Sequence, residues 1–216
     1  MSIQRTKIIC TAFELLDEVG LDHLTMRRLA QALCIRAPSL YWHFANKQAL
    51  IDGMADYLLN DIAQSYDETL PWQEQVKSMM RELRNCMLKH RDSARLFGGS
   101  FIVSDNILRA ANRIIGVLVG AGASLEQAAF GGSSMFYYVL GIALEEQGLR
   151  QQRMIDQNII SETKKSMLEL AGDQYPNVVA CADFFLDVDM TPRFEFGIDA
   201  FIMGIEHKIL LQESVQ

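Results

Sequence analysis

The stretch from Leu24 to Lys47, LTMRRLAQALCIRAPSLYWHFANK, constrains this chain more than any other, because it holds two short helical patterns with almost no chain between them. Thr25 is placed to cap a helix from Met26 to about Ala32, its hydroxyl accepting from a free first-turn amide. Met26, Leu29, Ala30 and Leu33 share one face of that helix, and Arg27, Arg28 and Gln31 share the other. Cys34 and Ile35 form the turn. A second helix opens near Ala37-Pro38-Ser39, where the missing proline N–H removes no intrahelical bond, and continues through Leu40-Tyr41-Trp42-His43-Phe44. Ala45-Asn46 is a hinge before Lys47. The pattern predicts a helix–turn–helix.

On the second helix, Leu40 and Phe44 are four apart and can bury against the first. That leaves Arg36, Ala37, Ser39, Tyr41, Trp42, His43 and Lys47 pointing outward. A soluble helix gains nothing by exposing Tyr, Trp and His together without a partner. In a DNA major groove each has a use: hydroxyls, ring nitrogens and lysine for phosphates, small groups for thymine methyls, arginine for guanine. Taken alone, the Tyr41-Trp42 pair also fits the filling of a small three-helix core.

The net charge of −7 looks unsuited to a nucleic-acid partner until it is divided. Residues 1–50 carry six Lys/Arg against four acids, an excess of +2, while residues 51–216 carry 14 against 23, an excess of −9. Such an asymmetry fits a DNA-facing N-terminal module on an acidic body. The chain is long and apolar enough for one compact body or two small domains. No apolar run reaches the roughly 20 residues that span a bilayer, and no signal-peptide core is present, so a cytoplasmic protein is expected. Cys10, Cys34, Cys86 and Cys181 show no CxxC or Cys/His pairing and read as buried small hydrophobes, with no metal site.

The rest of the chain is also helical in pattern. A first helix spans Gln4 to Val19 and stops at Gly20, with Leu21 as a core plug. A connecting helix runs from Lys47 to about Tyr66, and the division between domains 1–50 and 51–216 falls within it. Helices follow over Trp72 to Lys89, about Ser104 to Val119, and from a capping box at Ser124/Gln127 to about Arg150. His90-Arg91-Asp92 breaks the chain before a short helix containing Ala94, Leu96 and Phe97. Further helical segments are expected over Ile160 to Leu170, Asn177 to Leu186, and Thr191 to about Leu211. The middle of the Ser124 helix is small or aromatic nearly all round, which implies a partner subunit as well as its own core. With the equally apolar last helix it would make a four-helix bundle on dimerisation.

LT-x-R-x-LAQ-x-L followed by P-S-LYWH-x-x-NK-x-AL-x-D resembles the DNA-binding domain of the TetR family. Scattered similarity continues through Leu15 to Gly20, His90-Arg91-Asp92, Ser124-Leu125-Glu126, Leu144 to Gln147 and Gly204-Ile205-Glu206. The resemblance implies an all-α homodimer: N-terminal three-helix DNA-binding domains reading a palindromic double-stranded operator, and C-terminal helical domains that bind an inducer and dimerise. It places Arg27 on a guanine edge, Thr25, Tyr41, His43 and Lys47 on phosphates, and Trp42 and Ser39 on or behind bases. Arg28, Arg36, Ala37 and Pro38 complete the candidate DNA-binding set. Members that sense tetracycline have Gln where this chain has Ala37, and Ala cannot make the bidentate amide contact to adenine, so the operator should differ.

The effector side departs further. Those members hold a drug–magnesium chelate through a histidine that falls here at Phe97, so the metal ligand is gone. Their other polar drug contacts fall opposite Ala63, Met79, Leu83 and Tyr137, and roughly opposite Ile114; Glu145 survives. The candidate pocket is therefore apolar, with Tyr137, Tyr138 or Ser100 supplying the few hydrogen bonds to a flat or bulky apolar inducer, and no cofactor is expected. Met79, Leu83, Phe97, Ile114 and Tyr137 equally fit plain core filling. An enzyme is not indicated: His23, His43, His90 and His207 are scattered, and no HExxH, GxSxG, P-loop or Rossmann fingerprint appears. The expectation is a ligand-responsive repressor; the competing one is a DNA-binding regulator with no small-molecule effector, or an activator.

Overall fold

Helix α1, Ile3–Val19, buries Ile8, Ile9, Ala12, Phe13 and Leu16 at helical spacing, and Gly20 ends it with φ +76°, a left-handed conformation that glycine adopts without strain. The computed structural model describes residues 3–64, 67–98 and 103–213, and among these every regular element is helical. Helix α2, Met26–Ala32, starts where Thr25 Oγ1 accepts from the Arg28 amide at 3.2 Å. Cys34 makes the turn at φ +55°, and α3, Ala37–Tyr41, follows with proline in its first turn. Helix α3 is shorter than the sequence pattern, since Trp42 already caps it and Phe44 plugs the core from the following turn.

The connecting helix α4, Lys47–Leu58, is N-capped by Asn46, whose side-chain oxygen accepts from the Ala49 amide at 2.8 Å. It does not run on toward Tyr66, which lies outside the described residues. After Leu58 the chain tightens into a 3-10 turn over Leu59–Asp61, and Ala63 turns left-handed at φ +53° while Glu82 Oε2 accepts its amide at 3.0 Å.

The body is built from α5 (Trp72–Leu88), α6 (Asp105–Gly120), α7 (Leu125–Ile155) and α11 (Thr191–Glu213), with α7 packed against the other three. Ser104 caps α6, and Ser124 with Gln127 forms the expected capping box of α7. Helix α7 continues one turn past Arg150. Between it and α11 lie α8 (Ile159–Ala171), α9 (Pro176–Ala180) and α10 (Ala182–Phe185); the single helix expected over Asn177 to Leu186 is thus broken in two at Cys181. Helices α7 and α11 approach closely at glycines: a Cβ on Gly197 would lie 2.1 Å from the Tyr138 ring, and one on Gly131 would lie 2.8 Å from Ile205 Cδ1.

One face of this helix pair has no cover in the single chain. Phe130, Tyr137 and Leu144 on α7, and Phe196, Met203 and Leu210 on α11, are exposed and recur every seven residues. Seven-residue spacing keeps a stripe on one side of a helix, the pattern of helix-to-helix packing. The cysteines depart from expectation, for only Cys86 is buried and Cys10 and Cys34 are exposed. Burial pushes the Cys86 thiol up to about 12, which makes it an unreactive hydrophobe.

Candidate nucleic-acid interface

Helices α1 to α4 position the reading surface by burying one side of each short helix. Leu29, Leu40 and Phe44 fill the space under α3, and Arg5 lies over the Phe44 ring at 4.4 Å. What remains faces outward. Trp42 is 90% exposed and Tyr41 49%, so neither fills the core of the head. Arg27, Arg36, Pro38 and Ser39 are exposed, and Ala37 and His43 half-buried. Among the described residues, the side chains of Arg27, Arg36, Ser39, Tyr41, Trp42 and His43 have no hydrogen-bond or ion-pair partner within the chain. Three of the predicted set are already engaged: Thr25 Oγ1 accepts from the Arg28 amide at 3.2 Å, Arg28 Nη1 donates to the His23 carbonyl at 3.3 Å, and Lys47 Nζ donates to the Leu21 carbonyl at 3.0 Å. Lys47 thus pins the α1–α2 loop, a role that spacing alone did not suggest.

A polar junction joins this head to the body. Asp92, buried and left-handed at φ +56°, accepts the Leu21 amide on Oδ2 at 2.9 Å and Gln151 Nε2 on Oδ1 at 2.8 Å. His90 stacks on Phe13 at 4.4 Å, and its Nδ1 lies 2.7 Å from Asp17 Oδ2. Arg95 pairs with Asp22 at 2.8 Å. Its guanidinium holds the Asp22 carboxyl below the ordinary range, by hydrogen bond first and charge second. The sequence marked His90-Arg91-Asp92 as a break; what it could not show is that α1, the loop after it and α7 supply the partners.

The candidate effector residues divide. Ala63, Met79, Leu83 and Phe97 are buried together in the core, and Ile114 is half-buried against it, as are Ile107 and Val117 on the same helix. Glu145 and Tyr137 point outward, and Tyr137 belongs to the exposed stripe of α7. The Tyr138 hydroxyl donates to the Arg193 carbonyl at 2.6 Å. Ser100 lies outside the described residues. Next to Glu145, Glu146 is buried and bound by Arg84 at 2.8 Å and Arg150 at 2.6 Å, on the wall of an open cleft of about 490 Å3 that none of the predicted residues lines. Among the described residues, no three His, Cys, Asp or Glu side chains are grouped to hold a metal ion, and no helix is long and apolar enough to cross a membrane.

Residues 8–54 match the model of bacterial regulatory proteins of the tetR family, and residues 67–209 match the tetracyclin repressor-like C-terminal domain. The chain belongs to the tetR family. Among its relatives is the class G tetracycline repressor protein of Vibrio anguillarum, 31% identical over 94% of each chain. The Streptomyces coelicolor TetR family protein ActR, solved in complex with (S)-DNPA, superposes with a TM-score of 0.83 at 32% identity, over 97% of this chain and 100% of that one. Mycobacterium smegmatis BioQ, solved with its double-stranded DNA operator, superposes at 0.69 with 28% identity, over 95% of this chain and 99% of that one. TetR-family membership makes this a DNA-binding transcription regulator, and α2–α3 is its helix–turn–helix.

Proposed function

We propose that this tetR-family chain is a ligand-responsive repressor, acting in the cytoplasm as a homodimer that grips a palindromic operator through α2 and α3. Residues 1–50 serve as the DNA-binding domain and residues 51–216 as the effector-binding and dimerisation domain. The observation that carries the reading is the bare surface of α3, where Trp42 is 90% exposed beside unpartnered Arg36, Ser39, Tyr41 and His43. Soluble helices seldom leave such a set unmatched, and base edges and phosphates match it. The complex of BioQ with its operator supports the same role here.

The heptad-spaced stripes of α7 and α11 supply the dimer contact, four helices forming one bundle across a two-fold axis. The inducer is a small, largely apolar or aromatic molecule received between α5, α6 and α7. Half-buried Ile107, Ile114 and Val117 on α6 are among the apolar groups able to cover one. The complex of ActR with (S)-DNPA supports a small-molecule effector. With Phe97 at the place of the metal-binding histidine, tetracycline–magnesium is not the inducer.

The deep burial of Met79, Leu83 and Phe97 favours a second reading, a regulator with a filled core and no small-molecule effector. Fluorescence polarisation separates the two. A palindrome is selected from random DNA, and the complex is titrated with flavone, naphthoquinone, anthraquinone and anilinonaphthalene sulfonate, and with tetracycline plus magnesium. Release by an aromatic compound and not by tetracycline is expected. Release by none favours the filled core, and failure to select any palindrome overturns the DNA reading.

A further inference from the structure

Helix α4 leaves the DNA-reading head at Lys47 and ends at Leu58 inside the body. The last carbonyls of any helix lack intrahelical donors and need others. Here two body helices provide them, both to the last turn of α4 and to the 3-10 turn that continues it. From α6, Arg109 Nη2 donates to the carbonyls of Leu59 and Asn60, both at 2.9 Å, and Arg109 Nη1 donates to that of Ile62. Asn106, one turn earlier on α6, accepts from Arg109 at 3.2 Å and donates through Nδ2 to the Asp56 carbonyl at 3.2 Å. From α5, the Cys86 thiol donates to the Leu58 carbonyl at 3.2 Å, and Glu82 holds the Ala63 amide.

A guanidinium suits this place in two ways. It keeps its charge at any pH the protein meets and presents a planar fork of donors, so it can satisfy several carbonyls at once. It also sits at the negative end of the α4 dipole. The same α6 that carries Arg109 lays Ile107, Ala110 and Ile114 against the core to which α5 contributes Met79 and Leu83. A molecule wedged into that core must displace α6, α5 or both. Each of them is fastened to the same end of α4.

We propose that Arg109 is the positioning residue that couples the core to the DNA-reading head: it fastens α6 to the 3-10 turn that continues α4 at its C-terminal end, so that displacement of α6 swings α4 and moves α2 and α3. This rests on the effector-responsive reading above. Helix α4, with 12 residues, is a stiff rod of about 18 Å, so movement of one end is delivered to the other as a tilt. A coupling residue need not touch either ligand, and it changes the linkage between sites rather than the affinity of each.

The test uses the full-length protein, the selected palindrome and anilinonaphthalene sulfonate, whose fluorescence reports occupancy of the core separately from DNA release. In the wild type, saturating probe should weaken DNA binding at least about tenfold, within the usual range for allosteric linkage. In Arg109→Gln, the half-saturating probe concentration and the probe-free DNA affinity should each stay within about threefold of wild type, while the weakening by probe falls below about threefold. Arg109→Lys, which keeps the charge but loses the fork, should lie between them, and Asn106→Ala should shift in the same direction as Arg109→Gln. A merely structural Arg109 would instead lower probe affinity, DNA affinity and unfolding midpoint together, with the ratio intact; that result overturns the proposal. So does undiminished release in Arg109→Gln or, should that variant not fold, in Asn106→Ala. A wild type that binds the palindrome but is not released by the probe removes the effector reading, and this inference with it.

Discussion

Trp42 shows what the exposure of a single residue can settle. Periodicity left Trp42 either in a small core or on a DNA-facing surface, and its 90% exposure excludes the core. Trp42→Ala should therefore lower affinity for the selected palindrome by about tenfold or more, as loss of a base or phosphate anchor does, and leave the unfolding midpoint nearly unchanged, as exposed substitutions do. A matching fall in thermal stability would return Trp42 to the core. Arg95 makes a different kind of prediction. The Asp22 carboxyl is depressed by its Arg95 partner, so the pair adds stability above the ordinary carboxyl value near 3.8 and loses it as pH falls through the lower folded value. Urea unfolding should show Arg95→Ala less stable than wild type at neutral pH, with the gap closing as pH falls below the ordinary carboxyl value. A gap that persists in acid would mean Arg95 acts through packing alone. Thr25, Gly20 and the Ser124/Gln127 box were legible because caps depend on neighbours in sequence. Lys47, Asp92 and Arg109 were not, because their partners lie 26, 71 and about 50 positions away.

Among elements, the long helices were read correctly, since capping signals and apolar periodicity agree over many turns. The errors gather where a helix ends without such a signal. No glycine or proline follows Leu58 closely, and the chain just beyond the stop of α4 is held by Glu82 and Arg109 reaching in from other helices. The split between α9 and α10 likewise has no proline or glycine to announce it. The all-round apolar middle of α7 pointed to a partner, and the uncovered stripe of Phe130, Tyr137 and Leu144 shows which side it would take. Met203→Asp on α11 would force a carboxylate into the proposed bundle centre, where an unpaired charge is costly. Light scattering should give about twice 24.4 kDa for the wild type and 24.4 kDa for the variant at micromolar concentration, with helical content retained. A dimer that survives the substitution would place the contact elsewhere.

For the whole molecule, the all-helical class and the two-part organisation of head and body were visible in the sequence, and so was the charge asymmetry of +2 against −9. Whether the core holds a space for an effector was not, because the shape of such a space depends on how far apart the helices stand, and no local pattern records a gap. The charge asymmetry carries a consequence for DNA affinity. With so small an excess of positive charge, binding depends on a few focused phosphate contacts and on the acidic body standing further from DNA than the Debye length of about 8 Å, where salt screens its repulsion. Affinity for the palindrome should still fall at least about a hundredfold between roughly 50 and 200 mM salt, through counterion release at those contacts, and a salt-independent affinity would mean that phosphates are not engaged. Trp42 has one more property. The chain holds two tryptophans, one on the bare tip of the head and the other, Trp72, half-buried at the start of α5. Indole emission is quenched by stacked bases and shifts to the blue in apolar surroundings, so head and body each carry a built-in lamp. Light from the first reports arrival and departure of DNA; light from the second reports what happens in the body, with no dye attached to either.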